Sequence, residues 1–417
     1  MRKRALLVTA LAALAATAFA NPLLSQRSDT VVRMSGAPVN PRVVRLIPEV
    51  TIGGLDVPPA YQFRAIQNFT VARDGAVWVV HGSLLSSEVD IFDSDGKHAR
   101  RLARQGSGPG EYRRPRRVAQ LPDGRMVLRD LLHINRFNVY TPAGSYDTTW
   151  TFTRGFAGPV NFDADTAGVV WVGYSHSMND MEFKVARMLN GVLIDTLLMP
   201  TASRVSFEEM RQGAGRVGAP FQPGWRYAWS PFGYYATAWT ANYAVDLRIP
   251  VLLPGSRFGV WREGDVVRSI RRRVEPVPVS NEERNDRRAR LAETRDASQG
   301  RLTGSIPDIP RTKPPIAGLQ FGDDGRLWVR VATPSERFTP ERVQSADGQP
   351  VVQPLAWREP VVFDVFEPDG RYIGRVGAPA YPVCSSGSMR VRGEVVWCSG
   401  RDDDDIPVLR RYRIEWR

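Results

Sequence analysis

Only four histidines stand in this 417-residue chain, and three of them occupy related places. His81, His133 and His176 each follow the second of two apolar segments joined by a tight Gly-bearing turn. Neutral imidazole is a common zinc ligand, and three of them with an open fourth position make a catalytic site. Counted from the turn glycine, their offsets are six, nine and eight residues, so the rings stand at different heights. Zinc is the sharper reading of the trio, and hydrogen bonding to neighbouring loops is the ordinary one. Asp402-Asp403-Asp404-Asp405 is a run of hard oxygen donors of the kind calcium takes. Calcium loops space their carboxylates alternately and turn on a Gly, and this run does neither. A solvated acidic loop is the ordinary reading there.

Nucleophilic chemistry finds little support. No Gly-x-Ser-x-Gly elbow is present. The Gly-rich stretch Gly106–Glu111 lacks the Lys-Ser/Thr pair of a phosphate loop and reads as a structural bend. The two cysteines, Cys384 and Cys398, flank the last hairpin and have no histidine near them in sequence. A disulfide between them is expected, which would stabilise by ~3 kcal/mol in the chain-entropy model. Trp78, Trp171, Trp328 and Trp397 recur three or four residues after the turn Gly, which points to core packing rather than ligand stacking.

The elements that must position these groups are hairpins. VARDGAVWVV (71–80), VAQLPDGRMVLRD (118–130), FDADTAGVVWVGY (162–174), LQFGDDGRLWVRV (319–331) and MRVRGEVVWCS (389–399) each set two apolar strands around a turn. Asp-Gly between apolar strands is a strong hairpin signal, because Gly accepts the positive φ. A second hairpin follows the first in most copies, as in VDIFDSDGKHARRL (89–102) and VVFDVFEPDGRYIGRV (361–376). Two hairpins make a four-stranded antiparallel sheet, and a repeat of about 45 residues marks a ring or stack of such sheets. The count is six, which predicts an all-β, six-bladed β-propeller. The last copy lacks a fourth strand, and VVRLIPEVTIG (43–53) has no sheet of its own. The N-terminal strand is therefore expected to close the last blade, leaving no open edge.

The chain starts with Arg2-Lys3-Arg4, an apolar stretch from Leu6 to Ala16, and Ala18-Phe19-Ala20. That is the pattern of a signal peptide over residues 1–20, followed by an N-terminal extension 21–42 and the ring over 43–417. Export to the periplasm or outside the cell is expected, with no membrane span. Net charge is +12, but Arg supplies 52 of 56 basic residues, scattered along many strands and interleaved with acids. A nucleic-acid binder concentrates its basic residues on one stripe, so no nucleic-acid partner is expected. A monomer is expected.

RDLLHINRFNVYTPAG (129–144) resembles the NHL-type repeat, with an Asp after the second strand, then Asn-Arg and a strand ending in a Gly turn. RQGSGPGEYRRP (104–115) is similar to the Gly-rich link of bacterial exported six-bladed propellers. The resemblance spans nearly the whole chain and implies the fold. Among six-bladed and related propellers, peptide-amidating lyases hold zinc with three histidines. Gluconolactonase-type enzymes hold calcium with acidic and Asn ligands, for which Asn68, Asp130 and Asn161 are the available residues.

Strands one and three of a blade run the same way. The short turns therefore share one face, and the loops after strands two and four share the other. All three long insertions, 200–225, 272–316 and 333–360, fall on the second face. Function concentrates on loops carried by a rigid scaffold, and long loops are otherwise uncommon. Arg129, Asp130, His133, His176 and Arg401, on the loops between strands two and three, are the expected ligand contacts. SNEERNDRRARLAETR (280–295) opens with a capping box and has a thin apolar face, which predicts a solvated surface helix. The expected function is non-catalytic binding of an unidentified ligand or protein partner on the elaborated face. The alternative is a metal-dependent lyase or lactonase at the channel mouth, using zinc or calcium.

Overall fold

The computed structural model describes residues 31–34, 42–83, 86–103, 105–130, 136–152, 162–174, 184–199, 215–216, 218–250, 260–261, 264–298, 300, 302–339, 355–377, 388–402, 404 and 406–416. The chain is an all-β ring of six four-stranded antiparallel blades. Blade one comprises Ile66–Val71, Val77–Gly82, Ser87–Phe92 and His98–Arg101. Blade two comprises Pro115–Gln120, Met126–Asp130, Arg136–Tyr140 and Tyr146–Thr151, and blade three Phe162–Ala164, Val169–Tyr174, Lys184–Leu189 and Val192–Leu198. Blade four is Trp225–Trp229, Tyr235–Trp239, Ala244–Ile249 and Asp265–Arg272. Blade five is Ile316–Phe321, Leu327–Val331, Val362–Phe366 and Tyr372–Gly377. Blade six is Met389–Arg392, Val395–Arg401, Pro407–Trp416 and the N-terminal strand Arg42–Ile52.

The turns behave as their composition demands. Gly75 and Gly124 sit at φ 87° and 89°, where a Cβ would be strained. The preceding Asp side chain closes the loop, Asp74 Oδ1 accepting the Ala76 amide N–H at 3.0 Å. Apolar residues on both faces of each sheet then pack between blades. Six buried clusters result, one per seam, and Trp78, Trp171, Trp328 and Trp397 are all buried within them. At the seam of blades three and four, Trp171 stacks on Trp229 at 5.3 Å. Truncating such a ring costs about 3–5 kcal/mol.

Closure follows the expected strand and adds to it. Arg42–Ile52 pairs antiparallel with Pro407–Trp416, from Val44 opposite Trp416 to Ile52 opposite Leu409. Its first residues also pair in parallel with the outer strand of blade five, Arg42 opposite Gly374. Upstream, Val31–Met34 lies parallel on the outer strand of blade four, Val31 opposite Ser269. The N-terminal segment is thus a strap over the rims of blades four, five and six. Val260–Trp261 covers the rim of blade three in the same way. Added strands of this kind mask sheet edges that would otherwise template pairing.

Candidate functional site

The three insertions meet. Helix α1, Asn281–Ala297, is capped by Ser280, whose Oγ accepts the Glu283 amide N–H at 3.0 Å. Its inward face is charged. Buried Glu283 accepts bonds from Arg287 Nε at 2.8 Å and Ser335 Oγ at 2.7 Å. Lys313 Nζ donates to Ser335 Oγ at 2.7 Å and Thr333 O at 2.8 Å, and lies 3.4 Å from Glu359. Trp357 Nε1 donates to Asp286 at 2.7 Å. Phe221, from the first insertion, carries the Arg287 guanidinium 4.5 Å and the Lys313 ammonium 5.0 Å from its ring centre. Burial holds the Lys313 pKa below its usual value despite Glu359 and Glu283. Residues from all three insertions therefore share one network, and α1 is locked rather than merely solvated. The thin apolar stripe misled because the docking face is ionic. Phe221 stands at φ 62°, an unfavourable region for a bulky residue, and is held there by the two cations.

Between this lobe and blade four lies a cleft of about 980 Å³. Phe221, Tyr243, Arg271, Arg272, Arg273 and Lys313 line it, with Pro223, Pro276, Pro310, Pro314 and Pro315 as apolar wall. Tyr243 and Arg272 are set by fully buried Asp364 of blade five. Its carboxylate accepts bonds from Tyr243 Oη at 2.8 Å, Arg272 Nη1 at 2.6 Å, Tyr372 Oη at 3.2 Å and Arg375 Nε at 2.8 Å. Burial, reinforced by the Asp364 charge, raises the Tyr243 pKa well above its usual value. The phenol therefore stays a donor.

Blade one holds the other titratable cluster. His81 Nε2 lies 2.7 Å from Asp90 Oδ2, and His98 Nε2 lies 3.1 Å from Asp90 Oδ1. Arg101 bonds both Asp90 oxygens and reaches Glu88 at 2.9 Å. Burial alone would raise the Asp90 pKa, but the bonds from His81, Arg101 and His98 outweigh it and hold the carboxyl well below the usual range. The ligand atoms of His81, Glu88 and Asp90 lie within 4.8 Å of one another. Their donor chemistry is that of a metal site, but the Arg101 guanidinium already bridges both carboxylates. The set fits a cation that is part of the chain, and a metal would have to displace it.

The structure places the sequence-derived residues unevenly. Arg129 and Asp130 are the last two residues of a strand and are 1% and 0% exposed, so neither is a loop contact. Burial, then the nearby Arg117 charge, lowers the Arg129 pKa to about 10. Asp130 accepts the amide N–H groups of Arg113 and Arg114 at 2.8 and 2.9 Å, pinning the link from blade one. Glu111 Oε2 accepts the Gly108 N–H at 2.8 Å, and a Cβ at Gly106 would meet that same oxygen at 2.0 Å, which confirms the bend. Asn68 Oδ1 accepts the Val118 N–H at 3.1 Å. Arg401 is exposed at the end of its strand. Asp402 Oδ1 caps its own loop through the Asp404 and Ile406 amides. His133, Asn161, His176, Cys384, Asp403 and Asp405 lie outside the described residues. Cys398 is buried, and Met389 lies opposite it in the last hairpin. His98, the first residue of strand four of blade one, bonds the same buried carboxylate beside a short turn.

No protein-family model matches this sequence, and no curated protein does. Among the described residues no helix is long and apolar enough to cross a membrane. The chain is similar to a member of the duf4221 family from Bacteroides vulgatus, at 11% identity and TM-score 0.45, over 91% of this chain and 100% of that one. A protein of Bacteroides fragilis assigned as exported gives 10% identity and TM-score 0.44, over 93% and 100%. A protein assigned as a gluconolactonase gives 11% identity and TM-score 0.37, over 90% and 93%. At such identities no activity transfers.

Proposed function

We propose that this chain is an exported, non-catalytic propeller that binds an anionic ligand or protein segment in the cleft beside the insertion lobe. One observation carries the reading: the three insertions join in one ionic network, and the first two of them wall a cleft lined by Arg271, Arg272, Arg273 and Lys313 against a single acid, Glu275. Its volume is in the range of ligand sites, and fixed polar groups at the mouth of such a site set orientation. Of the contacts expected from sequence, Arg401, His133 and His176 remain proposals at the same face, whereas Arg129 and Asp130 support it from within the sheet.

The test is a thermal-shift and titration screen of sugar acids, phosphosugars and acidic peptides against Arg273→Glu and Arg371→Glu. Loss of a saturable hit in the first variant alone supports the cleft. Equal loss in both, or loss only in Arg371→Glu on the short-turn face, overturns it. A metal-assisted lyase or lactonase is the second reading, favoured only by the grouping of His81, Glu88 and Asp90. Zinc or calcium at one equivalent per chain, lost in Asp90→Asn, would support that reading.

A further inference from the structure

The face with short turns is not idle. Strand one of each blade ends there, and the turns are laced around the channel mouth. Arg73 N–H donates to Gln120 Oε1 at 2.8 Å, joining blades one and two. The Thr166 N–H donates to Pro231 O at 2.7 Å between blades three and four. The Asp323 N–H donates to Val391 O at 3.1 Å, and the Gly393 N–H to Asp323 Oδ1 at 2.8 Å, between blades five and six. Arg392 Nη1 donates to Val71 O at 3.1 Å, returning to blade one. These bonds preform a collar around a pocket of about 230 Å³. That is below the usual range of drug-sized sites, so it suits a small molecule.

Two charged side chains of this pocket, and a third on a neighbouring strand, have little else to hold. Arg390 lines the pocket, donates to Met389 O at 3.0 Å, and lies 5.7 Å over the Phe69 ring. Arg117 stands on strand one of blade two, three residues deeper than pocket-lining Gln120, and makes no hydrogen bond or ion pair among the described residues. Burial, then the charge of Arg390, lowers its pKa, while Asp163 opposes this. Asp163 is exposed in the pocket and accepts only the Ala164 N–H at 3.0 Å among the described residues. Thr70 adds a hydroxyl to the wall. Arg390 and Asp163 line one pocket, and together they form a recognition pattern: the fork geometry of Arg matches a carboxylate, and Asp163 accepts from a donor on the same molecule.

We propose that the short-turn mouth of the channel binds a small carboxylate bearing a hydroxyl or amino group, held by Arg390 and Arg117 at its carboxylate and by Asp163 at its donor. Succinate, malate and aspartate form a near-isosteric test series that differs in that donor. Calorimetric titration of the full chain at constant ionic strength should show saturable binding of malate or aspartate and about tenfold weaker binding of succinate. Arg390→Gln should weaken the preferred ligand about tenfold or more, as should Arg117→Gln if its melting temperature shows it folded. Asp163→Asn should shrink the gap between the preferred ligand and succinate. Arg273→Glu, in the cleft on the other face, should bind as wild type, which separates this site from the one proposed above. The idea is overturned if succinate matches both partners in the wild type or Arg390→Gln binds unchanged. It is equally overturned if inorganic phosphate binds as well as either, or if neither malate nor aspartate binds by about 10 mM.

Discussion

Asp364→Ala should cost stability and loosen the cleft together. The carboxylate is fully buried and receives two tyrosine hydroxyls and two arginines. Charge-assisted bonds contribute about 1.5–3 kcal/mol each, and a naive sum would far exceed any measured single-site effect. Two terms must be discounted. Arg375 has a side chain 49% exposed and regains water when its partner leaves, and Tyr372 is only half-buried. What remains is the Arg272 guanidinium, 18% exposed, and the buried Tyr243 hydroxyl, each left facing a void. Removing one partner of a buried ion pair costs about 3–5 kcal/mol, and about 4 is the expectation here. A chain of 417 residues has an unfolding entropy of about 0.9 kcal/mol/K if the ring unfolds as one unit. The melting temperature should therefore fall by about 4–5 °C. Differential scanning calorimetry measures it, with exposed Asp95→Ala as the control. Because Tyr243 and Arg272 line the cleft, any ligand found there should also weaken in Asp364→Ala. A melting temperature within about 1 °C of wild type would show that the buried carboxylate is not the clamp argued here.

Acid should weaken the wild type through Asp90. Its folded pKa lies below the ordinary value, so its contribution is complete above about pH 4 and is lost as pH falls further. Urea midpoints measured from pH 5 down to 2.5 should fall more steeply in wild type than in Asp90→Asn, and parallel slopes would contradict the assignment. Protein made through export should contain a Cys384–Cys398 bond, read as a two-dalton shift in intact mass on reduction; two free thiols would refute it. His98→Ala should be destabilising although it sits beside a short turn, whereas Lys97→Ala should be silent; equal melting curves for the two would remove His98 from the Asp90 cluster.

The hairpins were legible because their information is local. A Gly at positive φ between apolar strands, after Asp in blades one, two and five, defines its own turn, and six such hairpins leave one solution for closure. The lobe beside the cleft was not legible because its parts are far apart in sequence. Phe221, Lys313 and Ser335 belong to three insertions, and only the ring brings them together. The thin apolar face of α1 gave a correct statement about hydrophobicity and a wrong one about docking, since Glu283 and Arg287 anchor it through charge. One signal was present but overlooked. Asp90, Asn138, Asp246 and Asp364 take the same step of strand three in blades one, two, four and five, opposite Val79, Leu128, Thr237 and Val329. A polar residue recurring inside an apolar strand demands a partner, and Arg101, Thr149, Ser269 and Arg375 on strand four supply it.

The reinforcement of the ring is uneven. The strap adds Val31–Met34 to Asp265–Arg272, the strand whose end delivers Arg271 and Arg272 to the cleft. It then passes blade five, which carries Asp364, and closes blade six. Arg271 bonds Asp246 at 2.8 Å while Arg272 bonds Asp364, so the cleft wall is tied to two blades at once. Deleting residues 21–55 would therefore do more than open the last blade. It would bare the outer strands of blades four and five and strand Pro407–Trp416 of blade six, and an unpaired strand edge is a template for aggregation. An intermediate truncation that starts at residue 40 keeps closure and removes only the strand on blade four. Such a chain should stay folded and monomeric yet bind any cleft ligand more weakly than the full chain. If it binds with unchanged affinity while the 21–55 deletion aggregates, the strap serves closure alone, and the link drawn here between blade-four rim and cleft is wrong.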